Sequence, residues 1–198
     1  PGIIDYKGKS YCFGLNYDIF RLKTGRHAEQ RSVSVAEMTY NADGTIQELP
    51  YFQECQLKQV EWLNPYRQVE AETMAWGYGL KTQPKNPWAQ HDTWNQVVTH
   101  VDEGKYILVK GVDFRKGASR FEVSASCHML GGSVEIRLDG VKGKCIGTVE
   151  IGNTRDDYKT FATKVKKVAG VHDLYLVFRG GDIQKENLFF LDWWKFSE

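Results

Sequence analysis

The sequence has almost no excess of charge of either sign. Its 198 residues contain 26 Lys and Arg against 25 Asp and Glu, which gives a formal net charge of +1. Proteins that bind nucleic acids or anionic membranes usually present a broad positive field. Apolar runs also stop well short of the roughly 20 residues that a membrane-spanning helix needs. We therefore expect neither a nucleic acid nor a membrane as a partner.

The short motifs of common catalytic and metal sites are missing as well. There is no GxSxG, no HExxH, no phosphate-binding loop and no GxGxxG after a strand. The four cysteines lack CxxC spacing, which argues against a zinc site and leaves open two disulfides or four isolated thiols. No opposed pair of carboxylates, as a glycosidase requires, can be nominated. We predict no catalytic residue in this chain.

Aromatic residues, in contrast, are abundant at 13%, and strand-like alternation begins at once. Exposed aromatic rings make good platforms for the apolar faces of ligands.

The chain begins at Pro1 and enters a strand-like run at Ile3, so we interpret it as a piece of a longer polypeptide. Alternation of period 2 dominates and helical periodicity is scarce, which predicts an all-β protein.

The strands fall into two groups. About four short strands are predicted in the first 50 residues, including a pair at Met38–Asn41 and Thr45–Leu49 around an Asp43-Gly44 turn. Longer strands follow, and their number predicts a sandwich or barrel. These are Lys105–Val109, Arg120–Cys127, Val134–Asp139, Ile146–Ile151, Thr160–Val165, His172–Arg179 and Leu188–Phe196. Gly77–Asn95, with little alternation, is predicted to be a long aromatic loop.

Several segments of the second group resemble a family-6 carbohydrate-binding module in the order of that family. They are Val69-Glu70-Ala71-Glu72, Gly104-Lys105-Tyr106, Val134–Asp139, Gly147-Thr148-Val149, Gly170–Phe178 and Leu188–Phe196. The resemblance covers residues 65–198. It implies a jelly-roll β-sandwich that binds plant cell-wall polysaccharide.

The first 55 residues resemble the last blade of a family-43 glycoside hydrolase, a five-bladed β-propeller. The resemblance rests on Tyr6–Phe13, Arg31–Val35 and Tyr40–Ile46. It implies a partial blade over residues 1–55, a linker over 56–64 and an extracellular hemicellulase as the parent protein. The catalytic aspartates and glutamate of that family belong to earlier blades, so the rest of the propeller is the expected partner.

The resemblance also implies a structural Ca²⁺ held by Glu70, Glu72 and Asp192. A hard cation takes oxygen ligands from carboxylates and carbonyls, and in this position it would join the first and last strands of the sandwich. The alternative is a set of solvated carboxylates at a strand edge.

The sugar site implied by the resemblance centres on Tyr158, whose ring would stack on a sugar, and on Asn187, whose amide would bind hydroxyls. The second stacking aromatic is expected near Val97, which cannot stack, so Trp94 or Trp88 is the substitute. Each of these residues also has an alternative role without a sugar. Tyr158 would be a half-exposed aromatic of a strand, Asn187 a turn residue, and Trp76, Trp88 and Trp94 aromatics packed within the loop. A site on the concave face of a sheet also remains open.

The sequence thus predicts a module that binds xylan or arabinoxylan and accompanies a hemicellulase. Two alternatives stay open. The chain could be part of an active xylosidase or arabinofuranosidase whose catalytic blades lie elsewhere, or the sandwich could be a brace for the propeller that binds no sugar.

Overall fold

The computed structural model describes residues 2–16, 21–22, 25, 32–55, 57–86, 88 and 94–198. Fourteen β-strands are assigned among these residues, and the all-β prediction is confirmed. The chain divides into two compact units, Pro1–Val60 and Glu61–Glu198. In the described part of the chain, no helix combines the length and the apolar character needed to cross a membrane.

The first unit is built on a three-stranded antiparallel sheet of β1 (Gly2–Tyr6), β2 (Lys9–Asn16) and β3 (Ser32–Met38). Lys7 and Gly8 make the tight turn between β1 and β2, and both have the positive φ that such turns require. One face of the sheet is buried and includes Ala36 and Met38. On that face the Phe52 ring lies against Gly14, where a Cβ atom would collide with it.

The further hairpin predicted for the first unit is shorter than expected. Of the strands predicted at Met38–Asn41 and Thr45–Leu49, the structure retains a single bridge between Tyr40 and Ile46. The turn between them is present, because Asn41 and Thr45 are hydrogen bonded and the carbonyl of Asn41 accepts the amide of Gly44. Local hydrogen bonds at Asp43 and Thr45 therefore hold a turn without continuing strands.

The second unit is a sandwich of two sheets, and the jelly-roll prediction is confirmed. One sheet has the order β11-β10-β13-β8-β5, and the other has the order β12-β9-β14-β7-β6 with β4 paired to β14. The strands are β4 (Val69–Glu70), β5 (Trp76–Tyr78), β6 (Lys81–Pro84), β7 (Gln96–Thr99), β8 (Tyr106–Asp113), β9 (Ala118–Ser126), β10 (Gly132–Leu138), β11 (Lys144–Ile151), β12 (Lys159–Val168), β13 (Val171–Gly180) and β14 (Phe190–Ser197).

All seven longer strands predicted from alternation are present, but the prediction of a loop over Gly77–Asn95 is wrong in its first half. That segment contains the end of β5 and all of β6, which pair with β8 and β7. The unit boundary falls inside the predicted linker 56–64. Leu63 nevertheless belongs with the sandwich, because it is hydrogen bonded to Gly111 and Asp113.

Several of the largest side chains in the sandwich core are aromatic and come from β14 and its neighbour β9. Phe121, Trp194 and Phe196 are fully buried, with ring centroids 4.9 Å apart for the two phenylalanines. Trp193, the neighbour of Trp194, points to the opposite face and is only half-buried, because successive residues of a strand alternate in direction. All four cysteines are free thiols, and Cys127 points into the core as its alternation predicts.

Trp194 supplies the first test of this core. We expect Trp194→Ala to lower the free energy of unfolding by about 3–5 kcal/mol, because it leaves a large cavity. Trp194→Phe should cost much less, since the buried indole Nε1 has no hydrogen-bond partner to lose. Urea unfolding followed by circular dichroism measures both. An alanine variant as stable as the parent would contradict the packing described.

Candidate functional site

The carboxylate of Asp192 is the centre of the candidate site. The register of β14 on β9 shifts between Leu191, which pairs with Ala125, and Trp193, which pairs with Ser124. Asp192 is the extra residue at this irregularity, and its side chain is 2% exposed. Its Oδ2 accepts hydrogen bonds from Ser124 Oγ at 3.0 Å and from Lys85 Nζ at 2.7 Å. A buried carboxylate is thereby paired with one cation and one hydroxyl.

The first strand of the sandwich brings two more carboxylates to this point. Glu70 pairs with Trp193, and the amide of Ala71 donates to the carbonyl of Asp192 at 2.8 Å. Glu72 follows directly, and its Oε2 is buried without a hydrogen-bond partner. Burial raises the pKa of Glu72, and the negative charges of Glu70 and Asp192 raise it further. The structure thus places Glu70, Glu72 and Asp192 where the end of β4 pairs with β14.

This set of side chains has the chemistry of a hard-cation site. An orphaned carboxylate oxygen beside two further carboxylates is a donor set suited to Ca²⁺. Across the described residues, however, no group of three acidic, histidine or cysteine side chains has the geometry of a formed metal site. The ammonium of Lys85 on Asp192 is the cation that the structure places here. Calcium therefore stays a prediction.

Tyr158 lies beside this cluster, at the end of the loop between β11 and β12. Thr154 in that loop is fully buried and bonds through its hydroxyl to the amide of Cys127, while the carbonyl of Asp156 accepts from Ser126. Burial raises the pKa of Tyr158 to about 12, and the charge of Asp192 contributes. Lys85 Nζ lies 4.6 Å from the centre of the ring. Tyr158 is therefore half-buried, with the Lys85 ammonium over its ring.

Lys85 also fixes the base of an aromatic loop. It follows β6 directly, and its amide donates to the carbonyl of Asn95 at 2.8 Å, which closes the loop between β6 and β7. Trp88 and Trp94 lie within that loop and are 90% and 89% exposed. Two exposed indole rings in one loop offer flat apolar faces to a ligand. Residues 87 and 89–93 lie outside the described residues.

The other predicted residues are more scattered. Asn187 is exposed, with a φ of +48° typical of a turn. Its backbone N–H donates to Asp102 Oδ1 at 2.7 Å, and its backbone carbonyl accepts from Gln184 Nε2. Asn187 is thus tied to Asp102 and Gln184, whereas Tyr158 contacts Lys85. Val97 is fully buried in β7, which removes it from any surface site.

A second aromatic surface was not nominated from the sequence. On the outer face of the five-stranded sheet, Tyr78 stacks on Tyr106 at 5.5 Å and Tyr106 lies 5.8 Å from Tyr175. Alternation predicts that Tyr106 and Tyr175 point away from the core, and that signal could have found them.

Charged side chains also lie on this face. Glu135 accepts from both Arg137 and Arg179, and Arg179 also contacts Glu103. Arg179 further lines a cavity of about 450 Å³, together with Leu130, Glu150, Ile183 and Gln184.

The sequence and the fold are similar to those of known carbohydrate-active proteins. The family profile of carbohydrate binding module (family 6) matches residues 70–198. An arabinoxylan arabinofuranohydrolase of Bacillus subtilis (strain 168) is 35% identical over 198 residues, which are 99% of this chain and 38% of that protein. The chain thus spans less than two fifths of the length of the curated relatives.

Two solved structures have the same fold over different spans. One is a glycoside hydrolase family 43 arabinoxylan arabinofuranohydrolase from Bacillus subtilis in complex with cellotetraose. It has a TM-score of 0.83 and 31% identity, over 99% of this chain and 40% of that one. The other is a family 6 carbohydrate-binding module from Clostridium cellulolyticum in complex with xylose, with a TM-score of 0.61 and 33% identity, over 69% of this chain and all of that one.

The pairing of Asp192 gives the second prediction. Asp192→Ala leaves the Lys85 ammonium and the Ser124 hydroxyl without their acceptor. We expect it to lower the free energy of unfolding in a chelator by about 2–3 kcal/mol, somewhat less than for a fully buried pair. Asp182→Ala, which changes an exposed loop carboxylate, is the matched control and should have no effect. Equal urea midpoints for the two variants would contradict the role given to Asp192.

Proposed function

The chain belongs to family 6 of the carbohydrate-binding modules, and from this premise we propose that it binds xylan or arabinoxylan at the loop end that carries Tyr158 and Trp94. The resemblance of the whole chain, a family-43 glycoside hydrolase segment followed by a family-6 module, is confirmed. The observation that carries the proposal is the exposed aromatic loop anchored beside the half-buried ring of Tyr158.

The physical basis is stacking supplemented by a few hydrogen bonds. A pyranose presents C–H groups to a ring face, and such contacts add roughly 0.5–1.5 kcal/mol each beyond burial. The exposed amide of Asn187 offers both a donor and an acceptor to sugar hydroxyls. A site with so few anchors should be weak, with a Kd on the order of 0.1–1 mM.

The choice of sugar is supported by the relatives. The Bacillus subtilis protein is named for arabinoxylan, and the Clostridium cellulolyticum module was solved with xylose. A neutral polysaccharide also agrees with the net charge of +1. Since stacking and neutral hydrogen bonds involve no net charge, moderate salt should hardly alter this binding.

The first unit supports an accessory role in a longer enzyme, which we propose to be extracellular. Ile4, Phe13, Leu15 and Val33 share one face of its sheet and are exposed by 40–74%. Such a face is suited to burial against another sheet. We propose the rest of a family-43 propeller as its partner, with catalysis in those other blades. The parent would then be an arabinofuranosidase or xylosidase that this module holds on its substrate.

A second location for the sugar is supported by the row of Tyr78, Tyr106 and Tyr175. These rings lie side by side across three strands, and Tyr78 is 56% exposed. A glycan chain that lay along such a row would bind the outer face of the five-stranded sheet. Binding there would make the loop-end tyrosine dispensable, so the two locations give opposite mutational results. If neither takes a sugar, the sandwich is a brace.

Affinity electrophoresis in soluble arabinoxylan separates these locations. We expect Tyr158→Ala to abolish retardation of the chain and Trp94→Ala to weaken it strongly, because each removes a stacking face. Trp76→Ala and Tyr106→Ala, on the other sheet, are the controls and should migrate as the parent does. Loss of retardation in Tyr106→Ala with normal retardation in Tyr158→Ala would place the sugar on the outer face of the five-stranded sheet instead.

We also propose that Glu70, Glu72 and Asp192 hold a structural Ca²⁺, as the unpartnered Oε2 of Glu72 supports. An ion that binds only the folded chain stabilises it by mass action. Millimolar CaCl₂ should therefore raise the melting temperature above its value in EDTA, and Glu72→Gln should remove most of that rise. A melting curve that is the same in both solutions would rule out the ion.

A further inference from the structure

We propose that Lys85 is the internal cation of the acidic cluster, and that Ca²⁺ competes with its ammonium for Asp192. Binding of Ca²⁺ then releases Lys85 from the Tyr158 ring and opens that ring face to a sugar. The second part rests on the proposed function, because it takes Tyr158 as the sugar platform. The first part concerns only the chain and the ion.

The competition follows from a shared oxygen. Lys85 Nζ lies 2.7 Å from Asp192 Oδ2, and Ser124 donates to the same atom. A Ca²⁺ ion takes carboxylate oxygens at 2.3–2.6 Å as ligands. Two cations that both contact one carboxylate at such distances would lie close together in a buried place, where repulsion between them is strong. The ammonium and the ion therefore exclude one another at Asp192.

The charges explain why an ion could displace the ammonium. The Lys85 ammonium pairs with Asp192, while the negative charges of Glu70 and Asp192 both act on Glu72, so negative charge remains in excess. Glu72 Oε2 has no hydrogen-bond partner, whereas Glu70 Oε1 accepts one from Gln68. A divalent ion neutralises more of this charge and supplies the missing partner for Glu72. Lys85 has 29% of its side chain exposed, so its released ammonium can turn to water.

The same ammonium covers the tyrosine. Its nitrogen lies 4.6 Å from the centre of the Tyr158 ring, within the range at which rings and their stacking partners meet. A pyranose cannot stack on that face while the ammonium is there. Lys85 thus links the carboxylates, the tyrosine and the aromatic loop, and it is a positioning residue for the sugar site. By linkage, Ca²⁺ and sugar must strengthen each other's binding by the same factor.

Calorimetric titration with CaCl₂ tests the competition. We expect Lys85→Met, which keeps the long apolar stem, to bind Ca²⁺ about tenfold more tightly than the parent, because it removes the competing cation. Lys81→Met, on the exposed end of β6, is the matched control and should bind as the parent does. Lys85→Gln repeats the test with a polar side chain. A Ca²⁺ affinity that is unchanged or weaker in both Lys85 variants would overturn the proposal.

Titration with xylohexaose tests whether Ca²⁺ strengthens sugar binding. For the parent chain, the comparison of CaCl₂ with EDTA is sufficient. The parent should bind about fivefold more tightly in CaCl₂ than in EDTA, whereas Lys85→Met should bind equally in both. If the parent binds no sugar in either solution, the proposed function fails while the Ca²⁺ titration still decides the competition. If the parent binds sugar equally in both, the release of Tyr158 is wrong.

Discussion

The pairing of the buried Asp192 carboxylate with a cation, which is the Lys85 ammonium in this structure, is the interaction on which the candidate site depends. Asp192 lies on β14, which is bonded to β4, β7 and β9 in one sheet. Its 2% exposure means that its charge needs a partner inside the protein. Lys85 is that partner, and its position at the base of the aromatic loop ties the loop to the sheet. The loop that carries the exposed tryptophans is thus anchored to β14 through Lys85 and Asp192.

The sandwich separates its aromatic residues by role. Those on the inner faces, such as Phe121, Trp194 and Phe196, pack at the distances and tilts of a protein core. Those on loops and outer faces, such as Trp94 and Tyr78, are exposed and available to a ligand. Tyr158 stands between these groups, since its hydroxyl end is buried enough for its pKa to rise to about 12. A half-buried ring of this kind is pre-organised, so little side-chain entropy is lost when a sugar stacks on it.

The sequence predicts the sandwich better than it predicts the site. Alternation finds all seven longer strands, because each strand has one face in a common core. It misses β5, β6 and β7, which have three or four residues each, too few for alternation to show. Lys85 could not be nominated, because its partner lies 107 residues away and only the folded sheet brings them together. Tyr106 and Tyr175 show the same limit, since alternation gives the face of a residue but not its neighbours across strands.

The most direct test of this account is a crystal structure of the chain grown with CaCl₂ and xylohexaose. We predict an ion bound by Asp192, Glu70 and Glu72, the Lys85 ammonium turned away from Tyr158, and a xylose unit stacked on the Tyr158 ring. A sugar lying along Tyr78, Tyr106 and Tyr175, with Lys85 still bonded to Asp192, would contradict the account.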